Sequence, residues 1–439
     1  MKFFDREEEI GILRDIREKS RSNARFTVVT GRRRVGKTQL IKRALDDEPY
    51  LYLYVSRKTE RELCAGFQSE MTSVLGIPLF GTAEKFEDLF KTVVDVSKSR
   101  PVTLVIDEFQ EFFRINESVF SSMANIWDGA HKDSRLNLIV CGSVNRLMTK
   151  IFKDDAEPLY SRHTNLLHVE PFGISVLKEI LASHSPEYTS EDLLSLWTMT
   201  GGVAKYIELL MDDGAYTKEK MLSSVFRRDS AYLDEGMAIL VQEFGKEYGT
   251  YFSIMSAIAS GKTEYSQIKN YVGADVGSHL AKLEETYSLV KRKVPVFADL
   301  GTKHSMYEID DCFFRYWFRF VWKNMYLKEL QRFDVMKEYA ERDYNVFSGH
   351  ALEQYFKWKF IEEKKYTRMD AWWDRKGENE IDLVCDDEMD NALDFYEIKR
   401  DAARIDLKGL EFKAQAFLTK NPQLKSRNIS YRGLSMKDM

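Results

Sequence analysis

Residues 26–46, FTVVT-GRRRVGKT-QLIKRALD, constrain this chain more than any other stretch. A short apolar run ends at Gly31, four residues follow, then Gly36, Lys37 and Thr38, and a helical pattern begins. Strand, tight loop and helix in that order, with G-x-x-x-x-G-K-T spacing, describe a phosphate-binding loop. Gly31 and Gly36 let the backbone close on an anion because they lack a Cβ. The loop amides and the N-terminus of the following helix aim partial positive charge at the phosphates. Lys37 is expected to reach the β- and γ-phosphates, and the Thr38 hydroxyl to ligate Mg2+. The contact set read for the nucleotide is Gly31, Arg32, Arg33, Arg34, Val35, Gly36, Lys37, Thr38 and Gln39.

A second stretch fits the same chemistry. VTLVI at 102–106 is a continuous apolar run, as expected of a strand buried on both faces of a parallel sheet. It delivers Asp107 and Glu108 at its carboxyl end, where ligands bind in such sheets. This is a Walker B pattern: Asp107 for the magnesium, directly or through water, and Glu108 to polarise the attacking water. LNLIVC at 136–141 predicts another buried strand, ending in Gly142-Ser143-Val144-Asn145. A polar residue at that tip can sense a γ-phosphate; Ser143 is the first choice and Asn145 the reserve. Arg162, in the run PLYSR before a further strand at 166–169, is a candidate to reach a γ-phosphate in the same subunit or a neighbouring one. Other strands and helices are expected at 50–55, 60–75 and 83–98.

The opening FFDREEEI resembles the leading segment of AAA+/STAND-type ATPases, where an aromatic–Asp–Arg run lies near the adenine, which makes Arg6 a nucleotide-site candidate. Residues 1 to about 235 resemble the archaeal/bacterial ATPase group of the STAND/AAA+ NTPases. The shared marks are D-R-E, G-R-R-R-x-G-K-T, I-D-E-F-Q, a G-S after the next strand, L-Y-x-R, and the G-G-V-A-K-Y break at 201–206. The chain departs from the group at Ala204, where the lid carries proline. The resemblance implies a P-loop NTPase core (ASCE/AAA+-like) at 1–172 and a helical lid at 173–240, with ATP as nucleotide.

The chain has 439 residues, enough for two to four domains, and its 44% hydrophobic and 31% charged content is that of a globular protein. The four cysteines, Cys64, Cys141, Cys312 and Cys385, are far apart and form no C-x-x-C pair, so reduced thiols are expected, not a disulfide framework or zinc site. The start MKFFDREEEI is too charged for a signal peptide, and no apolar run reaches about 18 residues. A cytoplasmic protein with no membrane partner is expected. The net charge of -5 means that any nucleic-acid surface has to be local.

Residues 241–304 have the rhythm of three short helices and a β-wing, a winged helix-turn-helix. Ser278, His279 and Lys282 would lie on its recognition helix, and Lys291, Arg292 and Lys293 on the wing could meet phosphates. The competing reading is a protein-packing module, since Glu284 and Glu285 share that helix. DDCFFRYWFRFVWKNM at 310–325 is a dense aromatic helix whose Phe314, Trp317, Phe318 and Val321 fit an inter-domain core. Residues 305–345 are read as a helical connector.

The last segment, 346–439, holds a second constellation. Glu353 sits on a predicted helix, Asp382 on an apolar alternating strand, and Glu397 and Lys399 two apart on the next. Acids from two strands and a helix can converge on a hard cation, Mg2+ or Mn2+, and a nearby lysine can position the attacking water. The E…D…E-x-K spacing resembles the PD-(D/E)XK nucleases. The fragments G-x-x-x-E, W-W-x-x-x-G-x-x-E-I-D-L-V and E-I-K resemble the nuclease-like C-terminal domain DUF234 found fused to this ATPase group. Gln415 is a further candidate for the site. Lys399, Arg400, Arg404, Lys408 and Lys413 could cradle a phosphate backbone or form a solvated helix face.

The resemblance thus implies a multidomain α/β protein in which ATP binding and hydrolysis license metal-dependent phosphodiester cleavage at Asp382, Glu397 and Lys399. The expected partner is nucleic acid, DNA ahead of RNA. A homo-oligomer is required if Arg162 serves a neighbour's nucleotide. The alternative is a STAND-like ATP switch that binds DNA or a protein partner and cuts nothing.

Overall fold

The computed structural model describes residues 3–77, 81–143, 145–298, 305–375 and 377–439. Val144 lies outside this set, as does the side chain of Asn145, the reserve candidate. The chain divides into two compact units, Phe4–Pro171 and Phe172–Met439.

The first unit is built on a five-stranded parallel sheet. Its strands are β1 (Arg25–Thr30), β2 (Leu51–Tyr54), β3 (Val102–Asp107), β4 (Leu136–Cys141) and β5 (Asn165–His168), in the order β2-β3-β4-β1-β5. β4 is buried along all six residues, and β1 and β3 nearly so, which explains why they read as continuous apolar runs. The edge strands β2 and β5 alternate instead. One face of the sheet packs Phe26, Leu104, Ile106 and Leu138 against helices Glu60–Leu75, Phe86–Ser99 and Ser118–Ala130. The other packs Val29, Val105, Ile139 and Cys141 against helices Glu7–Ser20 and Lys37–Ala44. This is a P-loop NTPase-like α/β fold. The strand order matters for chemistry, because β4 lies between the strand that feeds the glycine loop and the strand that ends in Asp107.

The second unit begins with helices Ile174–His184, Ser190–Thr200, Ala204–Asp212, Lys218–Val225 and Tyr232–Phe244. Ala204 is the first residue of its helix, a position that also accepts proline. Gly202 has φ +75°, and a Cβ there would meet the Phe172 carbonyl oxygen at 2.2 Å, so the 201–206 break requires glycine. Helices Tyr248–Ala259, Tyr265–Val272 and Gly277–Ala281 follow, the last prolonged by one wider turn, Lys282–Thr286. Strands β6 (Val290–Lys293) and β7 (Met306–Ile309) pair antiparallel.

The aromatic stretch is buried throughout: Phe313, Phe314, Tyr316, Trp317, Phe318, Phe320 and Val321 are all inside. Phe313 stacks on Tyr206 with ring centroids 4.3 Å apart, and the Trp317 indole N–H donates to the Leu233 carbonyl at 3.1 Å. These side chains form a core, and the packing leaves no stripe for stacking bases.

A 30-residue helix, Phe333–Glu362, runs without a break across the 345/346 position expected to separate connector from terminal domain. It leads to a four-stranded mixed sheet of β8 (Arg368–Trp373), β9 (Glu380–Asp387), β10 (Ala392–Ile398) and β11 (Asn428–Leu434), ordered β11-β10-β9-β8. Helix Leu407–Lys420 crosses from β10 to its parallel neighbour β11 and buries Leu410, Ala414 and Phe417 on the sheet. Val296 and Phe297, just beyond β6, also join this terminal core: the Val296 N–H bonds the Ala371 carbonyl of edge strand β8 at 3.0 Å, and Phe297 meets Phe417 at 5.9 Å. The hairpin is therefore tied to the terminal sheet.

At Gly236 a Cβ would come within 2.3 Å of the fully buried Trp317 ring. Gly236→Ala is expected to cost about 1–3 kcal/mol through overpacking, read as a lowered urea midpoint with an unchanged slope.

Candidate nucleotide site and C-terminal acid cluster

The Lys37–Ala44 helix starts directly on the glycine loop, with Gly36 at its N-cap in the left-handed region, φ 99°. Gly31 has φ +140°, and a Cβ there would lie 2.4 Å from the Val169 carbonyl oxygen. Gly31 is thus required by conformation and by close approach, and Gly36 by conformation. Lys37 is 6% exposed and donates to the Gly31 carbonyl at 2.8 Å and the Arg32 carbonyl at 2.9 Å. Burial pushes its ammonium pKa down, against the nearby Cys141, Glu108 and Asp107. A buried cation held only by loop carbonyls is suited to exchange them for phosphate oxygens.

Thr38 Oγ1 donates to Asp107 Oδ2 at 2.8 Å. A threonine hydroxyl against the Walker B carboxylate at the carboxyl edge of the sheet is a donor set of hard oxygens, and it fits magnesium. Tyr52, which sequence reading passed over, donates from its hydroxyl to the same Asp107 oxygen at 2.6 Å. Glu108 adopts φ 54° and places its carboxylate toward β4. Ser143 Oγ lies 3.0 Å from both of its oxygens, and the Gln110 amide also donates to it. Ser143 thus meets Glu108, because β4 intervenes between β1 and β3. Arg6, 5% exposed, bonds Glu9 and the Glu170 carbonyl, one residue beyond the Val169 that closes on Gly31.

Three sequence candidates stand differently. Val35 is buried in the core under the loop, so only its backbone is available to a nucleotide. Gln39 is exposed on the following helix. Arg162 is held by Asp128, with contacts of 3.0, 3.0 and 2.8 Å, and by the Pro158 carbonyl. Arg162 precedes β5, and β5 runs parallel to β1, so it lies at the amino edge of the sheet, opposite the glycine loop. Reach to a γ-phosphate of the same chain is ruled out by strand direction.

In the terminal sheet Asp382 and Glu397 occupy adjacent antiparallel strands on the face covered by helix Leu407–Lys420. Lys399 follows the end of β10 and donates to Asp382 Oδ2 at 2.9 Å, with Glu397 at 3.8 Å. The Ile398 N–H also donates to Asp382, at 2.7 Å, and the Asp406 N–H to Glu397 at 2.5 Å. Burial, with Glu353 nearby, pushes the Asp382 carboxyl pKa up, while Glu380 is raised by burial and by Glu353 and Asp382. The Lys399 ammonium is desolvated, but Asp382 and Glu397 outweigh this and raise its pKa.

Glu353 does not complete the expected metal set. His350 Nδ1 bonds it at 2.9 Å, and His350 Nε2 bonds Glu308 of β7. Among the described residues no three His, Cys, Asp or Glu side chains converge as metal ligands. Gln415 is exposed and meets Tyr431 of β11, away from the acids. Arg400 is committed to Ser348 at 2.7 Å and to Glu191, and Lys293 to Glu308 at 2.6 Å, so neither is left for a phosphate backbone. Ser278, Lys282, Lys291 and Arg292 are exposed, whereas His279 packs its ring against Tyr251 at 5.0 Å.

Residues 3–210 match the family described as "ATPase domain predominantly from Archaea", and residues 317–409 match DUF234, described as "Archaea bacterial proteins of unknown function". The chain joins an archaeal-type ATPase domain to a DUF234 domain. The uncharacterized protein MJECL04 of Methanocaldococcus jannaschii is 28% identical over 412 residues, 90% of this chain and 87% of that one. Among solved structures, the Walker-type ATPase PABY2304 of Pyrococcus abyssi superposes with TM-score 0.55 at 21% identity, over 72% of this chain and 96% of that one. The Aeropyrum pernix ORC2 protein, in ADPNP-ADP complexes, gives TM-score 0.51 at 14% identity, over 75% and 96%. At these identities the structural likeness carries the fold. No described helix is long and apolar enough to cross a membrane.

The Glu308–His350 pair makes stability of the second unit pH-dependent. Burial opposes the Glu308 charge, but His350, Lys293 and Arg315 outweigh it and hold its carboxyl far below the usual 4.5. Its contribution is present above that ordinary value and is lost as pH falls toward the folded one. For His350, burial and Arg315 oppose protonation, yet Glu353 and Glu308 raise it above 6.5, so its contribution is full below 6.5 and lost as pH rises through the folded value. Glu308→Gln is expected to cost about 3 kcal/mol between about pH 5 and 6, and less at about pH 8, in urea titrations beside the wild type.

Arg162→Ala is expected to leave hydrolysis by dilute, monomeric protein unchanged and to cost at most about 1 kcal/mol, since the pair is partly exposed. A hydrolysis deficit that appears only as protein concentration rises would place this arginine on a neighbour's nucleotide.

Proposed function

We propose that the ATPase domain binds and hydrolyses ATP with Mg2+ and couples its nucleotide state to nucleic-acid binding, with DNA ahead of RNA, and to metal-dependent phosphodiester cleavage in the DUF234 domain. The observation that carries the ATPase half is the Thr38–Asp107 hydrogen bond beside buried Lys37, set on a loop whose Gly31 and Gly36 both have positive φ. Thr38 and Asp107 would hold the magnesium, which when bound neutralises phosphate charge. Lys37 would leave the Gly31 and Arg32 carbonyls for the β- and γ-phosphates. Glu108 would orient the attacking water and accept its proton, with Ser143 fixing its carboxylate and reporting the γ-phosphate. Arg6 and the 31–39 backbone would complete the nucleotide contacts. The nucleotide complexes of the ORC2 neighbour support the choice of ligand.

The cleavage half is supported by Asp382, Glu397 and Lys399 lying together on one face of a sheet of β-hairpin plus crossover, the pattern expected of a PD-(D/E)XK-like domain. The three helices and hairpin at 248–309 support the winged-helix reading, with Ser278, Lys282, Lys291 and Arg292 as its accessible polar surface. A second reading has its own observation. Glu353 is held by His350, and Asp382 and Glu397 are bonded inward, as in an ATP-driven switch that cuts nothing. Domain limits are proposed at 1–172, 173–240, 241–304, 305–345 and 346–439, with one helix crossing the last.

The decisive experiment incubates the protein with magnesium or manganese, with and without ATP, against plasmid, single-stranded DNA and structured RNA. Lys37→Ala is expected to abolish ATP turnover, and Asp382→Ala to abolish cleavage while leaving turnover intact. Turnover without any cleavage selects the switch. Cleavage that survives Asp382→Ala removes the acid cluster, and cleavage indifferent to ATP and Lys37 removes the coupling.

A further inference from the structure

We propose that Tyr52 is a positioning residue for the ATPase metal: its phenol sets the orientation in which the Asp107 carboxylate meets magnesium. The inference rests on the Mg2+-ATP reading of the glycine loop and adds a residue that neither the loop nor the Walker B pattern contains.

Tyr52 lies on β2, directly beside β3, and its register partner is Val105. Strand alternation therefore turns Tyr52, Val105 and Asp107 to one face, where the Lys37–Ala44 helix packs. The Asp107 carboxylate accepts from donors on several sides. Its Oδ1 accepts from the Glu108 N–H at 2.9 Å, and its Oδ2 from Thr38 at 2.8 Å and Tyr52 at 2.6 Å. A carboxylate offers about four lone-pair directions, so these donors fix which remain for a cation or its water.

The Thr38 oxygen would itself hold the metal, and its hydroxyl would then have to adjust. Tyr52 has no such second task and can tether Asp107 in both states. The ring is held for that purpose. It packs against the Val105 and Cys141 core, and Lys42, from the helix that follows the glycine loop, lies 4.9 Å above it. Outer donors of this kind change metal affinity by about 10- to 100-fold when removed.

The test uses the full chain and Tyr52→Phe, which keeps the ring. Mg2+ is titrated against a fluorescent ATP analogue at fixed concentration, the analogue's metal-free affinity is measured separately, and bound Mn2+ is counted by electron paramagnetic resonance. The variant is expected to need about tenfold more metal for half-saturation, to bind the metal-free analogue within about twofold of wild type, and to recover hydrolysis at saturating Mg2+. An unchanged metal midpoint overturns the proposal. So does a parallel fall in metal-free affinity, which would make Tyr52 a packing residue. Metal-independent nucleotide binding by the wild type would overturn the site reading itself, and the tether with it.

Discussion

The carboxylate of Asp107 is where the first unit's strand order becomes chemistry. It ends β3, receives a hydroxyl from the helix after β1 and a phenol from β2, and sits one strand away from Ser143 at the end of β4. All of this follows from parallel strands whose carboxyl ends share one edge. A slip of β3 by one residue would turn Asp107 to the opposite face and bring Ile106 to the glycine loop. The buried runs of β1, β3 and β4 prevent such a slip, because it would trade two well-packed cores at once. The hydrophobic register therefore protects the polar site, even though the site's own hydrogen bonds are few.

The second unit solves a different problem, that of placing charge inside. Glu308, Lys293, Arg315, His350 and Glu353 form a partly buried chain from the hairpin to the long helix. Desolvating such groups costs several kcal/mol each unless every one has a partner, so the network specifies one docking of hairpin on helix. The same need explains the state of the acid cluster. Asp382 accepts from the Ile398 N–H and from Lys399, and Glu397 accepts from the Asp406 N–H.

The local motifs were legible in the sequence: Gly31 to Thr38, Asp107 and Glu108 depend on neighbours in the chain, and the structure brings them together. The same-subunit alternative for Arg162 was weighed without strand direction. A residue before a parallel strand belongs to the amino edge, and that inference was available from the sequence alone. Tyr52 was hidden in YLYLYV, where an aromatic residue reads as β-propensity. Its only mark was alternation with Leu51 and Leu53, which puts tyrosine and leucine on opposite faces. Lys293 and Arg400 could not be judged from sequence, because their partners, Glu308 and Glu191, are distant in the chain. The hairpin's attachment through Val296 was likewise a long-range event with no local signal.

The helix Phe333–Glu362 has a consequence for how this chain can be divided. At about 1.5 Å per residue it is a rod of about 45 Å. Tyr344 and Ser348 bond Ser195, Thr198 and Arg400, while Phe360 packs on Tyr396 of the terminal sheet. A fragment cut at 346 would begin inside the rod, lose Tyr344, and expose the apolar side on which Ala351, Leu352 and Tyr355 are buried. The terminal sheet and its preceding helices therefore inherit a shared boundary, and recombination that exchanges one for another has to carry the whole rod with it.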